Sequence, residues 1–309
     1  MTIALFLRTL NTHMDIKNIH VEASTYCNAR CPLCPRSLYG YKVEGVYPET
    51  HLKVDKFKQC LDLFPDRDFV YFNGNLGDPM MNPDILSLTE LTGCRTSITT
   101  NGSIGSEETW KLLAERNVQV VFSVDGMEDT NHLYRQDVSW SKVMERMKWF
   151  IDAGGKATWK FVVFKHNSHQ KSQARALSEE LGFMNFIMED HGRNYGPALD
   201  KDGNITHWIL PEDGSMSPSP YDVQAGIERY KNNQENFVVD GTYHVDCRHQ
   251  KTKEIYIDAR GRIAPCCYQG FDLPRRPFQH LKDFDKLKQT WSTKNCDWVC
   301  ASTCGKKNF

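Results

Sequence analysis

Residues 19–34 read IHVEASTYCNARCPLC, an apolar, strand-like stretch that runs into cysteines at positions 27, 31 and 34. Three thiols this close together suit a metal centre better than disulfides, because near neighbours rarely reach bridging geometry without strain. Soft thiolates select iron–sulfur clusters or zinc. Three protein ligands fill three iron positions of a [4Fe–4S] cube and leave the fourth iron open. The segment therefore predicts an open cluster, with a zinc knuckle or a purely structural cluster as the alternative.

The C-x3-C-x2-C spacing of Cys27, Cys31 and Cys34 resembles the cluster-binding signature of the radical S-adenosylmethionine (SAM) superfamily. The resemblance implies that the amino and carboxylate groups of SAM chelate the open iron. An electron from a flavodoxin- or ferredoxin-type reductant, passed through the cluster, would cleave the sulfonium and release a 5′-deoxyadenosyl radical that abstracts hydrogen from a substrate. The cofactor carries this chemistry, and the protein binds and orients it.

Composition limits the class of protein and its surroundings. The 309 residues can form either one barrel of ~250 residues or a barrel with a small appendage. A net charge of −1 gives no overall basic field that would attract nucleic acid or an anionic membrane. Eleven cysteines without a secretory signal indicate a reducing compartment. No apolar run approaches the ~20 residues of a membrane span, so we expect a soluble, cytoplasmic protein.

Short β-branched or aromatic stretches alternate with helical patterns from about residue 17 to 195. This alternation predicts βαβ units and a parallel sheet, and six such units would make a partial, TIM-like (β/α)6 barrel of the α/β class. We predict a barrel over residues 1–195, an irregular connecting segment over 196–244 with a helix near 223–232, and a small Cys-rich α+β domain over 245–309. The predicted strands cover residues 19–25, 69–73, 96–100, 118–124, 157–164 and 183–188.

Polar residues follow the predicted strands where a parallel barrel places its active site. The stretch from Asn73 to Pro79, NGNLGDP, resembles the Gly-Gly-Glu-Pro motif that holds the SAM ammonium group, although here the acidic residue is aspartate. The resemblance implies that these residues, with those after the next two strands, surround SAM. An ordinary turn is the alternative for each of them, because Asn-Gly and Asp-Gly pairs favour turns. The residues assigned to SAM are Gly74, Asp78, Asn101, Ser123, Asp125 and Arg135.

A second group of cysteines lies near the carboxyl terminus. Cys247-x13-Gly261-x4-Cys266 resembles the opening of the SPASM and twitch extensions, which bind auxiliary iron–sulfur clusters. Two complete auxiliary clusters would need eight thiolates, and this carboxyl-terminal group has only six cysteines. A single auxiliary [4Fe–4S] cluster of the twitch type is therefore favoured. Its ligands would be Cys247, Cys266 and two of Cys296, Cys300 and Cys304, while Cys267, expected on the same strand as Cys266, would pack. A structural zinc site is the alternative.

The group that completes the reaction is predicted at the end of the sixth strand. Glu189, Asp190 and His191 could accept a substrate proton there, although each could equally be a salt-bridge or loop residue. Only 26 residues precede Cys27, which leaves no room for a leader-binding domain and favours a small-molecule substrate. The alternatives are a peptide delivered by a separate recognition protein and, in a different class, a non-catalytic iron–sulfur electron carrier or redox sensor.

Overall fold

The computed structural model describes residues 15–46, 49–190, 195–232, 243–271 and 298–307. Twelve strands of the described residues are β1 Asn18–Val21, β2 Phe69–Asn73, β3 Arg95–Thr100, β4 Gln119–Ser123, β5 Ala157–Val163, β6 Asn185–Asp190, β7 Gly196–Leu199, β8 Ile205–Ile209, β9 Tyr243–Val245, β10 Glu254–Ile257, β11 Ile263–Ala264 and β12 Gly305–Lys307. The helices are α1 Val54–Leu61, α2 Ile85–Leu91, α3 Glu107–Glu115, α4 Asn131–Tyr134, α5 Trp140–Asp152, α6 Lys171–Glu180, α7 Val223–Asn232, α8 Arg248–Lys251, α9 Cys267–Phe271 and α10 Trp298–Cys304.

The main sheet has eight strands in the order β11-β10-β1-β2-β3-β4-β5-β6. Strands β1 to β6 pair in parallel with their neighbours, as the alternating pattern predicted, and the α/β class with a partial TIM-like barrel is confirmed. Because every strand of this run points the same way, the carboxyl ends of all six meet at one edge.

The two faces of the sheet differ in polarity because successive side chains on a strand point to opposite sides. On β1, Ile19 and Val21 are fully buried in the main core, whereas His20 lies on the opposite face. The apolar face packs against the helices through large side chains such as Phe57, Trp110 and Phe150. The polar face surrounds the cavity described below.

The carboxyl-terminal hairpin extends this sheet instead of standing apart from it. Strands β10 and β11 form a hairpin, with Gly261 at φ +75° in the turn. Strand β10 then pairs in parallel with β1, from Asn18 opposite Glu254 to Val21 opposite Ile257. The free edge of β1 offers unpaired backbone groups that a further strand satisfies. The pairing joins segments more than 230 positions apart, which no local pattern indicates.

Two further expectations differ from the structure. The segment predicted as irregular contains the antiparallel pair β7–β8 before the predicted helix, here α7. Cys267 does not lie on a strand, because β11 ends at Ala264 and Cys267 begins α9. Within the described part of the chain, no helix has the length and apolar character needed to cross a membrane.

Candidate functional site

The three amino-terminal cysteines lie in the loop after β1 and line one cavity of about 280 Å³ at the carboxyl ends of the strands. Arg36 fixes the loop by donating to the carbonyl oxygens of Thr25 and Cys27, at 3.2 Å each. Burial raises the pKa of the Cys31 thiol to about 11, and Arg135 opposes this rise. The thiols are not joined by disulfides. Three converging thiols beside a cavity fit the ligand set of an open iron–sulfur cluster.

No group of three or more His, Cys, Asp or Glu side chains in the described residues is arranged to hold a single metal ion. A four-iron cluster makes a different demand, because each thiolate binds its own iron atom.

Two polar side chains, one from the end of β3 and one from the end of α4, lie near these sulfurs. Asn101, just after β3, places Nδ2 3.9 Å from the Cys27 Sγ and donates to Asn28 Oδ1 at 3.0 Å. Arg135, just after α4, places Nη1 3.7 Å from the Cys31 Sγ. Both were predicted as SAM contacts, and both line the cavity. Their positions also suit them to stabilise thiolate charge, since hydrogen bonds to metal-bound sulfur tune a cluster.

Asp125 does not line the cavity, although the sequence resemblance placed it around SAM. It is fully buried, and its Oδ2 accepts from the Arg135 Nε at 2.6 Å. Its Oδ1 accepts from the backbone N–H of Val162 at 2.7 Å. Burial raises the pKa of Asp125, and the neighbouring guanidinium opposes this rise. The residue therefore holds Arg135 in place from behind.

Asp78 borders the cavity, but both its carboxylate oxygens are already used within the protein. They accept from the Thr100 hydroxyl at 2.8 and 2.9 Å, from the Asn101 N–H at 2.8 Å and from the Met80 N–H at 3.0 Å. The side chain is 4% exposed. Burial raises its pKa, and these donors oppose the rise. Asp78 thus ties the motif after β2 to the end of β3.

Gly74 and Gly77, in the loop after β2, lie so close to other backbone atoms that a side chain would not fit at either position. A Cβ on Gly74 would lie 1.8 Å from the Gly77 carbonyl oxygen, and a Cβ on Gly77 would lie 2.0 Å from the Ser24 carbonyl oxygen. The two glycines allow this approach because they lack a Cβ. The backbone of the loop consequently faces the cavity.

Glu22 on β1 was missed by the sequence analysis. It is 1% exposed, and its carboxylate accepts from the N–H groups of Asn75 at 2.7 Å and Gly77 at 3.1 Å. The Tyr256 hydroxyl of β10 donates to it at 3.0 Å. Burial raises the pKa of Glu22 to about 8, against the effect of these donors. A glutamate inside an apolar strand was the available signal, whereas nothing local indicated Tyr256.

At the far side of the cavity lie Ser123, Lys160 and Glu189. Lys160 Nζ forms an ion pair with Glu189 Oε2 at 2.6 Å, and both side chains are partly exposed. Of the three predicted catalytic residues, Glu189 is thus placed at the cavity. Asp190 ends β6, with no side-chain placement described, and His191 lies outside the described residues.

Four of the carboxyl-terminal cysteines that were predicted as ligands lie in the described region, and Cys296 lies outside it. Gln269 is fully buried and donates through its backbone N–H to the Cys266 Sγ at 3.5 Å and through Nε2 to the Cys300 Sγ at 3.4 Å. The β9–β12 pairing places Cys304 near Cys247, and with Cys300 they pack on one small apolar cluster. Burial raises the pKa of the Cys266 thiol. Their assignment to an auxiliary cluster stays a prediction.

Comparison with known proteins connects this geometry to a family. The sequence model of the radical SAM superfamily matches residues 21–170. A curated relative from Pyrococcus furiosus, the tungsten-containing aldehyde ferredoxin oxidoreductase cofactor-modifying protein, is 32% identical over 117 residues. That match covers 36% of this chain and only 31% of the relative, so the chain spans about a third of that protein's length.

Solved structures of two proteins share the fold. SuiB of Streptococcus suis bound to S-adenosylmethionine has a TM-score of 0.58 at 17% identity, covering 96% of this chain and 70% of SuiB. The anSMEcpe protein with bound AdoMet has a TM-score of 0.56 at 16% identity, covering 93% of this chain and 89% of that one. SuiB bound to its precursor peptide SuiA matches with a TM-score of 0.56 at 16% identity, covering 94% of this chain and 68% of that one.

Proposed function

We propose that this chain, whose residues 21–170 match a radical SAM domain, is an enzyme that cleaves SAM reductively and abstracts hydrogen from a substrate. The observation that carries the proposal is the shared cavity, in which Cys27, Cys31 and Cys34 face the loop after β2 and Arg135. Once bound to these cysteines, a [4Fe–4S] cluster would supply the electron that splits SAM into methionine and a 5′-deoxyadenosyl radical. A flavodoxin- or ferredoxin-type reductant would provide that electron.

The residues of the chain bind and orient SAM. The Gly74–Gly77 backbone and the side chains of Asn101 and Ser123 offer hydrogen-bonding groups along the cavity wall. Arg135 brings a cation next to the thiols, and Asp125 fixes its orientation. Because Asp78 is occupied by Thr100, Asn101 and Met80, we assign it the role of positioning the wall.

We further propose that the reaction is a net oxidation or a bond-forming step. Loss of one proton and one electron from the substrate radical gives a product oxidised by two electrons in total. Glu189, held by Lys160 at the cavity, is the described carboxylate placed to accept the proton. The electron would pass to an auxiliary [4Fe–4S] centre held by Cys247, Cys266 and two of Cys296, Cys300 and Cys304. The cysteine content favours a reducing, cytoplasmic setting.

The substrate we favour is a small molecule that enters beside Lys160 and Glu189, where a paired cation and carboxylate can each bind a charged group. A peptide is the second candidate, because a solved structure of similar fold, SuiB, binds a precursor peptide. Candidate metabolites and peptides deuterated at defined carbons distinguish the two, since only the true substrate transfers deuterium into 5′-deoxyadenosine.

The test of SAM cleavage uses protein reconstituted with iron and sulfide under anaerobic conditions. With dithionite and SAM, the wild type should form 5′-deoxyadenosine, and Cys31→Ala should form none. Cys60→Ala is a matched control, because Cys60 is a buried cysteine of α1 that donates to the Gly261 carbonyl oxygen at 3.3 Å, away from both centres. A wild type that holds its clusters but never cleaves SAM would favour the electron-carrier alternative.

Separate roles for the two centres make a second prediction. Cys300→Ala should retain some SAM cleavage that is uncoupled from product formation. Equal loss of cleavage in Cys300→Ala and Cys31→Ala would contradict the assignment of the carboxyl-terminal cysteines to a separate electron acceptor.

A further inference from the structure

The carboxyl-terminal hairpin contacts the loop that faces the SAM cavity. Tyr256 of β10 is 2% exposed, and its hydroxyl donates to Glu22 at 3.0 Å. The Glu22 carboxylate in turn accepts from the N–H groups of Asn75, Leu76 and Gly77. A single buried carboxylate therefore joins the loop to the hairpin.

The other side of Tyr256 is packed against α9, the helix that follows Cys266. A Cβ on Gly270 would lie 2.2 Å from the Tyr256 Cε1, so ring and helix backbone are in direct contact. The position of α9 therefore affects the cavity loop through Tyr256 and Glu22.

The position of α9 depends on the carboxyl-terminal cysteines. Gln269, within α9, donates to the sulfurs of Cys266 and Cys300, which lie on separate segments. A metal centre that binds both sulfurs would fix the distance between these segments, and with it the helix that carries Gln269 and Gly270. Residues around metal ligands commonly transmit such constraints.

We propose that Tyr256 is a positioning residue that couples the two cysteine centres, so that SAM binds tightly only when the carboxyl-terminal centre is loaded. The inference rests on the proposed function, because it takes the Gly74–Gly77 loop as part of the SAM site. Coupling between two ligands is reciprocal, so bound SAM would also strengthen retention of the carboxyl-terminal centre.

The experiment measures the dissociation constant of SAM for anaerobically reconstituted full-length protein. Tyr256→Phe removes only the hydroxyl and keeps the ring against Gly270. We expect SAM to bind about tenfold more weakly to Tyr256→Phe, which corresponds to about 1.4 kcal/mol. Tyr71→Phe is the matched control, because Tyr71 lies beside His20 and its hydroxyl faces Glu254 instead of Glu22. Its affinity for SAM should stay within about twofold of wild type.

A double-mutant cycle with Cys266→Ala tests the coupling itself. Cys266→Ala should weaken SAM binding by a similar factor. The double variant should bind SAM no more weakly than the weaker-binding single variant, because both substitutions interrupt the same set of contacts. Gln269→Leu keeps all cysteines and replaces Cys266→Ala in the cycle if that variant fails to fold. In the absence of SAM, Gln269→Leu should lose the carboxyl-terminal metal centre faster than wild type, and added SAM should slow this loss.

Unchanged SAM affinity in Cys266→Ala and Gln269→Leu, or independent effects that multiply in the double variant, would overturn the coupling and leave the proposed function standing. A wild type with both clusters and no SAM binding would instead remove the proposed function.

Discussion

Removal of the Arg135 guanidinium should be the most destabilising single change at the cavity. Its Nε lies 2.6 Å from the Oδ2 of Asp125, and Asp125 is fully buried. Arg135→Gln leaves that carboxylate with the Val162 N–H as its described donor on the other oxygen. Breaking a buried pair from one side costs about 3–5 kcal/mol, because a charge stays buried without compensation. We expect a loss of this size in the free energy of unfolding.

The assay is urea unfolding of Arg135→Gln, of Asp125→Asn and of the double variant. The double variant should recover about 2 kcal/mol relative to Arg135→Gln, since it removes the orphaned charge. Lys148→Gln is the control: Lys148 pairs with Asp152 at 2.8 Å, but both side chains are exposed, so the cost should stay below about 1 kcal/mol. Equal losses in Arg135→Gln and Lys148→Gln, or strictly additive losses in the cycle, would refute the reasoning.

Two further predictions concern the cavity loop and its support. Burial raises the folded-state pKa of Glu22 from 4.5 to about 8, so its contribution to stability is complete below 4.5 and is lost as the pH rises through about 8. The unfolding free energy of wild type relative to Glu22→Gln should fall by about 1.4 kcal/mol per pH unit across that window. The Tyr256 hydroxyl faces Glu22, and Asp258 and Arg262 line a second, small cavity that Glu22 also borders. A rise across the same window would show that the donors outweigh burial. Gly77→Ala should lose SAM binding and about 1–3 kcal/mol of stability, because its Cβ would lie 2.0 Å from the backbone oxygen of Ser24. Wild-type SAM affinity and melting temperature in Gly77→Ala would exclude this close approach.

The parallel sheet and several members of the site could be predicted from local patterns. The six strands β1 to β6 were predicted to within a few residues, because alternation of β-branched strands and amphipathic helices is written into consecutive segments. The cysteine spacing is also a local pattern, whereas the Gly74–Asp78 loop and Arg135 were assigned from the resemblance to a known family; all of them line one cavity. Their detailed roles stay predictions, and Asp78 and Asp125 lie where they support the cavity wall and Arg135.

The sequence by itself determined the succession of strands and helices from β1 to β6 and the cysteine spacing after β1, because both are patterns of neighbouring positions. Only the tertiary structure decided that β10 joins the free edge of β1 and that Tyr256 reaches Glu22. It also decided that Gln269 bridges Cys266 and Cys300. These contacts join distant segments, and their energy comes from burial and from hydrogen bonds that form only once the sheet is assembled. The spacing of residues along the chain therefore does not predict these contacts.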